Sequence, residues 1–211
     1  MPAERKPDLS LFLDILQTLE RINAPYMIIG AFAGTVYGIT RVTYDIDIVV
    51  DLSERHINAI SEAYPLPRFY ADPEMIRNSI EMGIMFNIID TNRGEKADLV
   101  PLSGTLDYRP AFERRVRQLV EIPGTEPFEV WCARPEDVIF GKLMAWKEGR
   151  SRKHETDIFE IMRHHYLESK TENTELNEDE VDQLAGKLGE ETNAFWKEIK
   201  SNAKKDAAED Q

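Results

Sequence analysis

Residues 43–50 read Thr-Tyr-Asp-Ile-Asp-Ile-Val-Val, and this octapeptide limits the fold more than any other part of the chain. Its β-branched residues alternate with acids, the pattern of a strand with two unlike faces. Side chains alternate across a strand, so Asp45 and Asp47 project from one face with Cα atoms roughly 6 to 7 Å apart. Upstream, Tyr26-Met-Ile-Ile29 is a short apolar run closed by Gly30, as a buried strand entering a tight turn would be. A short helix over 31–37 is expected between the two strands.

The hydrophobic pattern places further elements around this pair. Leu9, Phe12, Leu13, Leu16, Leu19 and Ile22 recur at spacings of three and four and predict a helix over 9–22, stopped before Pro25. Ser53 and Glu54 open a helix to residue 63, and Pro73 begins one through residue 80. Strands over 84–89 and 96–100 flank Thr91-Asn-Arg-Gly94 as a hairpin. A helix over 110–115 leads to a second strand pair, 117–122 and 128–133, around Pro123-Gly-Thr-Glu-Pro127. After Pro135, Val138, Ile139, Leu143, Met144 and Trp146 mark one helix, and Ile158, Phe159, Ile161 and Met162 mark another. The order is α/β with a mixed sheet and antiparallel hairpins, α+β-like and unlike a doubly wound fold.

Residues 1–133 are the expected α/β core, 134–205 a small helical C-terminal part, and 206–211 a disordered tail. Within the second part, Thr171-Glu-Asn-Thr-Glu-Leu-Asn177 reads as a linker. Helices are expected around Val181, Leu184, Ala185 and Leu188, and around Phe195, Trp196 and Ile199.

Charge narrows the chemistry. The 211 residues hold 26 Lys+Arg and 39 Asp+Glu, a net of -13, so the overall field repels polyanions unless bases gather locally or metal ions intervene. Between Arg134 and Lys153 the balance reverses, with six bases (Arg134, Lys142, Lys147, Arg150, Arg152, Lys153) against three acids. That stretch either meets a triphosphate or an RNA backbone, or is a solvated helix end favoured by the dipole. A single cysteine (Cys132), a charged N-terminus with no cleavage site and no apolar run of membrane-spanning length set the expectation of a cytoplasmic protein with no membrane partner.

Like charges held as close as Asp45 and Asp47 call for a cation, and an oxygen-only set suits Mg²⁺ or Mn²⁺. Asp98, set between Ala97 and Leu99 in an apolar strand, is the candidate third carboxylate, which would allow two ions to hold the attacking and leaving oxygens of a phosphoryl transfer. The plain alternative is a solvated acidic sheet face. The Gly30 turn points backbone N–H groups at an approaching phosphate. Arg41 has two readings, a surface partner of Asp45 or Asp51, or a phosphate or active-site role. Lys142 either snorkels or points into a cleft, and Asp157 is expected to orient a basic side chain. His164 and His165 are adjacent and do not share a helix face, which argues against a zinc site.

The stretch Ile29-Gly-Ala-Phe-Ala-Gly-Thr-Val-Tyr-Gly-Ile-Thr-Arg-Val-Thr-Tyr-Asp-Ile-Asp-Ile-Val-Val50 resembles the signature of the DNA polymerase β-like nucleotidyltransferase superfamily. Arg41, Thr43, Asp45 and Asp47 match the Arg-x-Thr-x-Asp-x-Asp string of its bacterial abortive-infection and toxin-antitoxin members. Lys142 and the segment 150–157 resemble the lysine helix and the element that follows it in that subgroup. Two positions depart from the pattern: Ala31 stands where many members have Gly or Ser, and His154 where an acid is expected. The resemblance implies a nucleotidyltransferase core and transfer of a nucleoside monophosphate from an NTP to an acceptor hydroxyl or phosphate. Asp45, Asp47 and Asp98 would be catalytic metal ligands, and Gly30, Ala31, Arg41, Thr43 and Lys142 would bind the nucleotide. It further implies Mg²⁺ or Mn²⁺, an RNA acceptor with a tRNA end foremost, and an antitoxin-type protein partner. Two other readings use the same fold: a catalytically silent nucleotide- or partner-binding protein, and a metal-dependent phosphoester hydrolase.

Overall fold

The alternating stretch ending at Val50 lies at the centre of a seven-stranded mixed sheet. The structure is a computed structural model that describes residues 9–104, 106–120, 126–167 and 175–210. Helix α1 (Ser10–Arg21) buries Leu11, Phe12, Leu13, Ile15, Leu16 and Leu19. Strand β1 (Tyr26–Ile29) turns directly into α2 (Gly30–Thr35), and β2 (Ile46–Val50) returns antiparallel beside it with Ile29 level with Asp47. Helix α3 (Glu54–Ala63) opens at Ser53, whose backbone N–H donates to His56 Nδ1 at 3.1 Å. After β3 (Phe69–Tyr70), α4 (Pro73–Met82) is capped by Asp72, which accepts from the Met75 N–H, with Pro73 in the first turn where no intrahelical partner is lost.

The first hairpin is β4 (Phe86–Asp90) with β5 (Glu95–Pro101), and β5 also lies parallel to β2. A short α5 (Arg109–Glu113) leads to the hairpin of β6 (Val116–Val120) and β7 (Phe128–Cys132). Strand β7 joins the sheet parallel to β1, giving the order β3-β4-β5-β2-β1-β7-β6. Thereafter the described chain is helical: α6 (Pro135–Gly149), α7 (Arg152–Leu167), α8 (Glu178–Lys187) and α9 (Glu190–Glu209). The expected α/β class with a mixed sheet is what forms.

Ile46, Ile48, Val49 and Val50 are at most 1% exposed, so β2 is covered on both faces beyond its first residues. Burying such side chains contributes about 1.5–3 kcal/mol each, which makes β2 and its neighbours the anchor of the sheet. Helix α2 packs on β1, β2 and α6, and α7 packs between α6 and α9. The helical segment is thereby docked beside the β1–α2 turn.

Two expectations need correction, and one strand was not foreseen. The acidic strand begins at Ile46 and not at Thr43, because the Thr43 hydroxyl donates to the Asp45 carbonyl at 3.0 Å and holds that backbone in a local turn. The two-residue β3 carries no alternation long enough to read, and it exists only by pairing with β4. The tail at 206–209 belongs to α9, since Ala203 and Ala207 are buried and Arg163 of α7 pairs with Asp206 and Asp210. Most of the turn at 123–127 and of the linker at 171–177 lies outside the described residues, although Asn177 is seen capping α8.

Candidate active site

The sheet register brings the sequence's two acidic positions together. Strands β2 and β5 are parallel neighbours, and Asp47 pairs in register with Asp98. Residues opposed in this way project to the same side of a sheet. Asp45 precedes β2 on the exposed approach, and the three carboxylates act on one another: burial, then Asp98, then Asp45 push the Asp47 carboxyl above the usual carboxylate range. Lys96 and Lys153 pull it the other way.

The β1–α2 turn closes over Asp47. Gly30 has φ +69°, and a Cβ placed there would meet Asp47 Oδ2 at 2.3 Å. Only glycine lets the backbone lie against the carboxylate in this conformation. Helix α2 therefore starts against Asp47, although a helix of six residues adds little dipole.

Asp98 is 8% exposed and fully engaged. Lys96, two residues earlier on the same strand, donates its Nζ to Asp98 Oδ1 at 2.9 Å and Oδ2 at 2.8 Å. Asn87, opposite it in β4, donates its Nδ2 to Asp98 Oδ1. The hydrogen bond that Lys96 itself gives Asp98, with the charges of Asp98, Asp45 and Asp47 behind it, holds the Lys96 ammonium above its ordinary pKa. Tyr108, at the start of α5, also feels the Asp47 charge, which adds to burial in raising its phenol.

A second cluster lies where the α2–β2 connection meets α7. Arg41 reaches Asp157, not Asp45 or Asp51, with Nε–Oδ1 at 2.6 Å and Nη2–Oδ2 at 2.9 Å. Lys142 Nζ donates to the same carboxylate at 2.6 Å from a buried position on α6. Burial alone would raise Asp157 and lower Lys142, but the two bases more than offset it at Asp157, which is held below the usual carboxylate range. Lys142 thus neither snorkels nor stands free in a cleft. Asp157 orients two bases, where one was expected. Thr40 adds hydrogen bonds to Glu160 of α7 at 2.8 and 3.0 Å, so the segment before Asp45 is clipped to that helix. His154, where an acid was expected, has its Nδ1 buried without a hydrogen-bond partner, and burial and then Lys142 hold it below its ordinary pKa.

Sequence reasoning missed Lys96 and Asn87. Both are polar residues within strands, a signal that was present but had no address until the register was known. Thr43 stays at the local turn before Asp45. Cys132 is buried, with its thiol pushed up to about 12 by burial, and His165 pairs with Glu178 at 3.3 Å. The basic stretch is dispersed: Arg134 pairs with Glu136, Lys142 with Asp157 and Arg150 with Glu191, leaving Lys147, Arg152 and Lys153 without an ion pair among the described residues. A cleft of about 370 Å³ lined by Trp146, Arg150, Arg152 and Phe195 shares no residue with the carboxylate group.

The donors suit a divalent ion in kind, being oxygens alone and mutually repelling. Their present arrangement is not closed: among the described residues no three His, Cys, Asp or Glu side chains form a group that could hold a metal ion. Asp98 is turned to Lys96 and Asn87 instead.

No protein-family model matches the sequence, and no curated protein matches it. Solved structures do match. An antigenic nucleotidyltransferase-like protein from Paracoccidioides brasiliensis aligns over 85% of this chain and 86% of its own, with TM-score 0.50 and 19% identity. ANT(2")-Ia, solved in complex with adenylyl-2"-tobramycin, aligns over 85% of this chain and 95% of its own, with TM-score 0.50 and 18% identity. The chain has a nucleotidyltransferase fold.

Proposed function

We propose that this protein transfers a nucleoside monophosphate from an NTP to an acceptor hydroxyl or phosphate and releases pyrophosphate. One observation carries the reading: Asp47 and Asp98 stand level on adjacent parallel strands with the Gly30 turn against Asp47. Asp45 and Asp47 would hold two Mg²⁺ or Mn²⁺ ions between them, with Asp98 holding the ion on the acceptor side. Bound there, the ions would neutralise the charge that develops on the attacking and leaving oxygens.

The chain's own residues would do the rest. The Gly30 and Ala31 backbone N–H groups would receive the triphosphate, as anions bind at helix starts. Asp98 would take the proton of the acceptor as its oxygen attacks the α-phosphorus and the bond to pyrophosphate breaks. Lys153, which already acts on Asp47, is placed to meet a phosphate charge. Arg41, Lys142 and Asp157 would hold the Asp45 approach in position. Catalysis in this scheme is positioning plus charge neutralisation, with no covalent intermediate.

The acceptor is the open choice of this chemistry, and an RNA end is the one we favour, met by Lys147, Arg152 and Lys153. The likeness of Arg41, Thr43, Asp45 and Asp47 to the abortive-infection and toxin-antitoxin string supports an antitoxin-type protein partner. The test is incubation with each labelled NTP, Mg²⁺ and total cellular RNA, following label transfer and pyrophosphate together. Transfer with stoichiometric pyrophosphate, lost in Asp47→Asn, is the expected result. Free phosphate or nucleoside monophosphate without transfer would make the protein a hydrolase, and NTP binding without turnover would make it a silent binder.

A further inference from the structure

The proposed chemistry leaves Lys96 unused, yet it is the cation that pairs with Asp98. It lies two residues before Asp98 on β5 and so shares that residue's face of the strand. Its ammonium touches both Asp98 oxygens, while Asn87 holds one of them from the neighbouring strand. The two partners differ in freedom. The Lys96 side chain is 44% exposed on a flexible stem, whereas that of Asp98 is 11% exposed and pinned from β4. Asp98 is therefore the fixed member, and Lys96 is the one that can leave.

Asp47 and Asp98 level on neighbouring strands, with the Asp45 charge near, repel without a counter-charge, and an ammonium beside Asp98 relieves that repulsion in the metal-free protein. A divalent ion using Asp98 as a ligand needs the same lone pairs. Both cations cannot be served at once.

We propose that Lys96 is a tethered counter-cation, holding Asp98 in the metal-free protein and exchanged for the divalent ion at that ligand. Ion entry then expels the ammonium to the exposed side, where it can pair with an arriving phosphate. Free divalent ion binds weakly because it must displace the lysine, and a nucleotide strengthens binding by receiving the freed charge. This inference rests on the reading of Asp45, Asp47 and Asp98 as metal ligands.

The experiment is a Mn²⁺ titration of the full chain without nucleotide, with free Mn²⁺ followed by its paramagnetic resonance signal and folding checked by thermal melting. Lys96→Met should bind Mn²⁺ roughly five- to tenfold more tightly than the wild type, as expected for removing one partly exposed ion pair. Lys96→Arg, which keeps the charge, should stay near the wild type. Lys153→Met separates exchange from a general field effect. Lys153 acts on Asp47 but forms no ion pair among the described residues, so its gain should be less than about twofold. Asp98→Asn added to Lys96→Met should abolish the gain. Lys96→Gln serves in place of Lys96→Met if the latter does not melt cooperatively. Equal or weaker binding by the neutral variants, with the wild type binding Mn²⁺, would overturn the exchange and leave the metal site standing. No binding by any folded form would overturn the metal-ligand reading and the exchange with it.

Discussion

Gly30 has little room for change. Its φ of +69° disfavours any side chain, and the 2.3 Å approach to Asp47 Oδ2 leaves no space for a Cβ. Gly30→Ala should therefore cost about 1–2 kcal/mol in urea denaturation, and should lower pyrophosphate release by more than that instability explains, since the carboxylate must shift. Asp157 tests the second cluster. Asp157→Asn leaves the Lys142 ammonium, 6% exposed, without its counter-charge, and should destabilise the fold by about 3 kcal/mol. Adding Lys142→Met should recover much of that loss in a double-mutant cycle, whereas two independent effects would simply add. The pH dependence has a definite sign. Asp157 is held below its unfolded pKa, so its stabilisation is present above that pKa and is lost as pH falls through the lower, folded value. Wild type should thus lose stability below about pH 4 more steeply than Asp157→Asn in urea titrations at stepped pH.

At the scale of elements, the helices after β7 hold the approach to the carboxylates. Segment 38–41 is fixed to α7 at Gly38, Thr40 and Arg41, and α7 is in turn packed on α9. Ending the chain after Asn202 removes buried Ala203 and Ala207 and both acids that pair with Arg163. Such a truncation should lower stability by about 1–2 kcal/mol by the area lost and make α7 open to limited proteolysis. If protease sensitivity at α7 were unchanged, α9 would be an ornament of that helix. Most elements were legible because their apolar residues are large and regularly spaced, as in α1 and in β4 with β5. The end of α9 was not, because alanines carry weak apolar signal among Lys and Asp, and their burial depends on α7 being there. The start of β2 was misread because alternation continues through Thr43 while a side-chain hydrogen bond diverts the backbone.

For the whole molecule, a net charge of -13 opposes any polyanionic acceptor, so an RNA must approach by way of the few uncompensated bases. Reversing exposed Lys147 and Arg152 to glutamate should weaken RNA labelling several-fold and flatten its salt dependence, with NTP binding unchanged. Retained labelling would point to a small acceptor. Local pattern alone placed strands at 26–29 and, three residues too early, from 43 to 50, put a glycine turn between them and singled out Asp45 and Asp47 as candidate ligands, because alternation and turn geometry are properties of a few neighbouring residues. Three things were decided only by the folded chain: Asp98 level with Asp47, Arg41 bound to Asp157 across 116 residues, and Lys96 covering the third carboxylate. Pairing between distant segments follows from which arrangement buries the whole sheet and its helices, and no local window of sequence contains that sum.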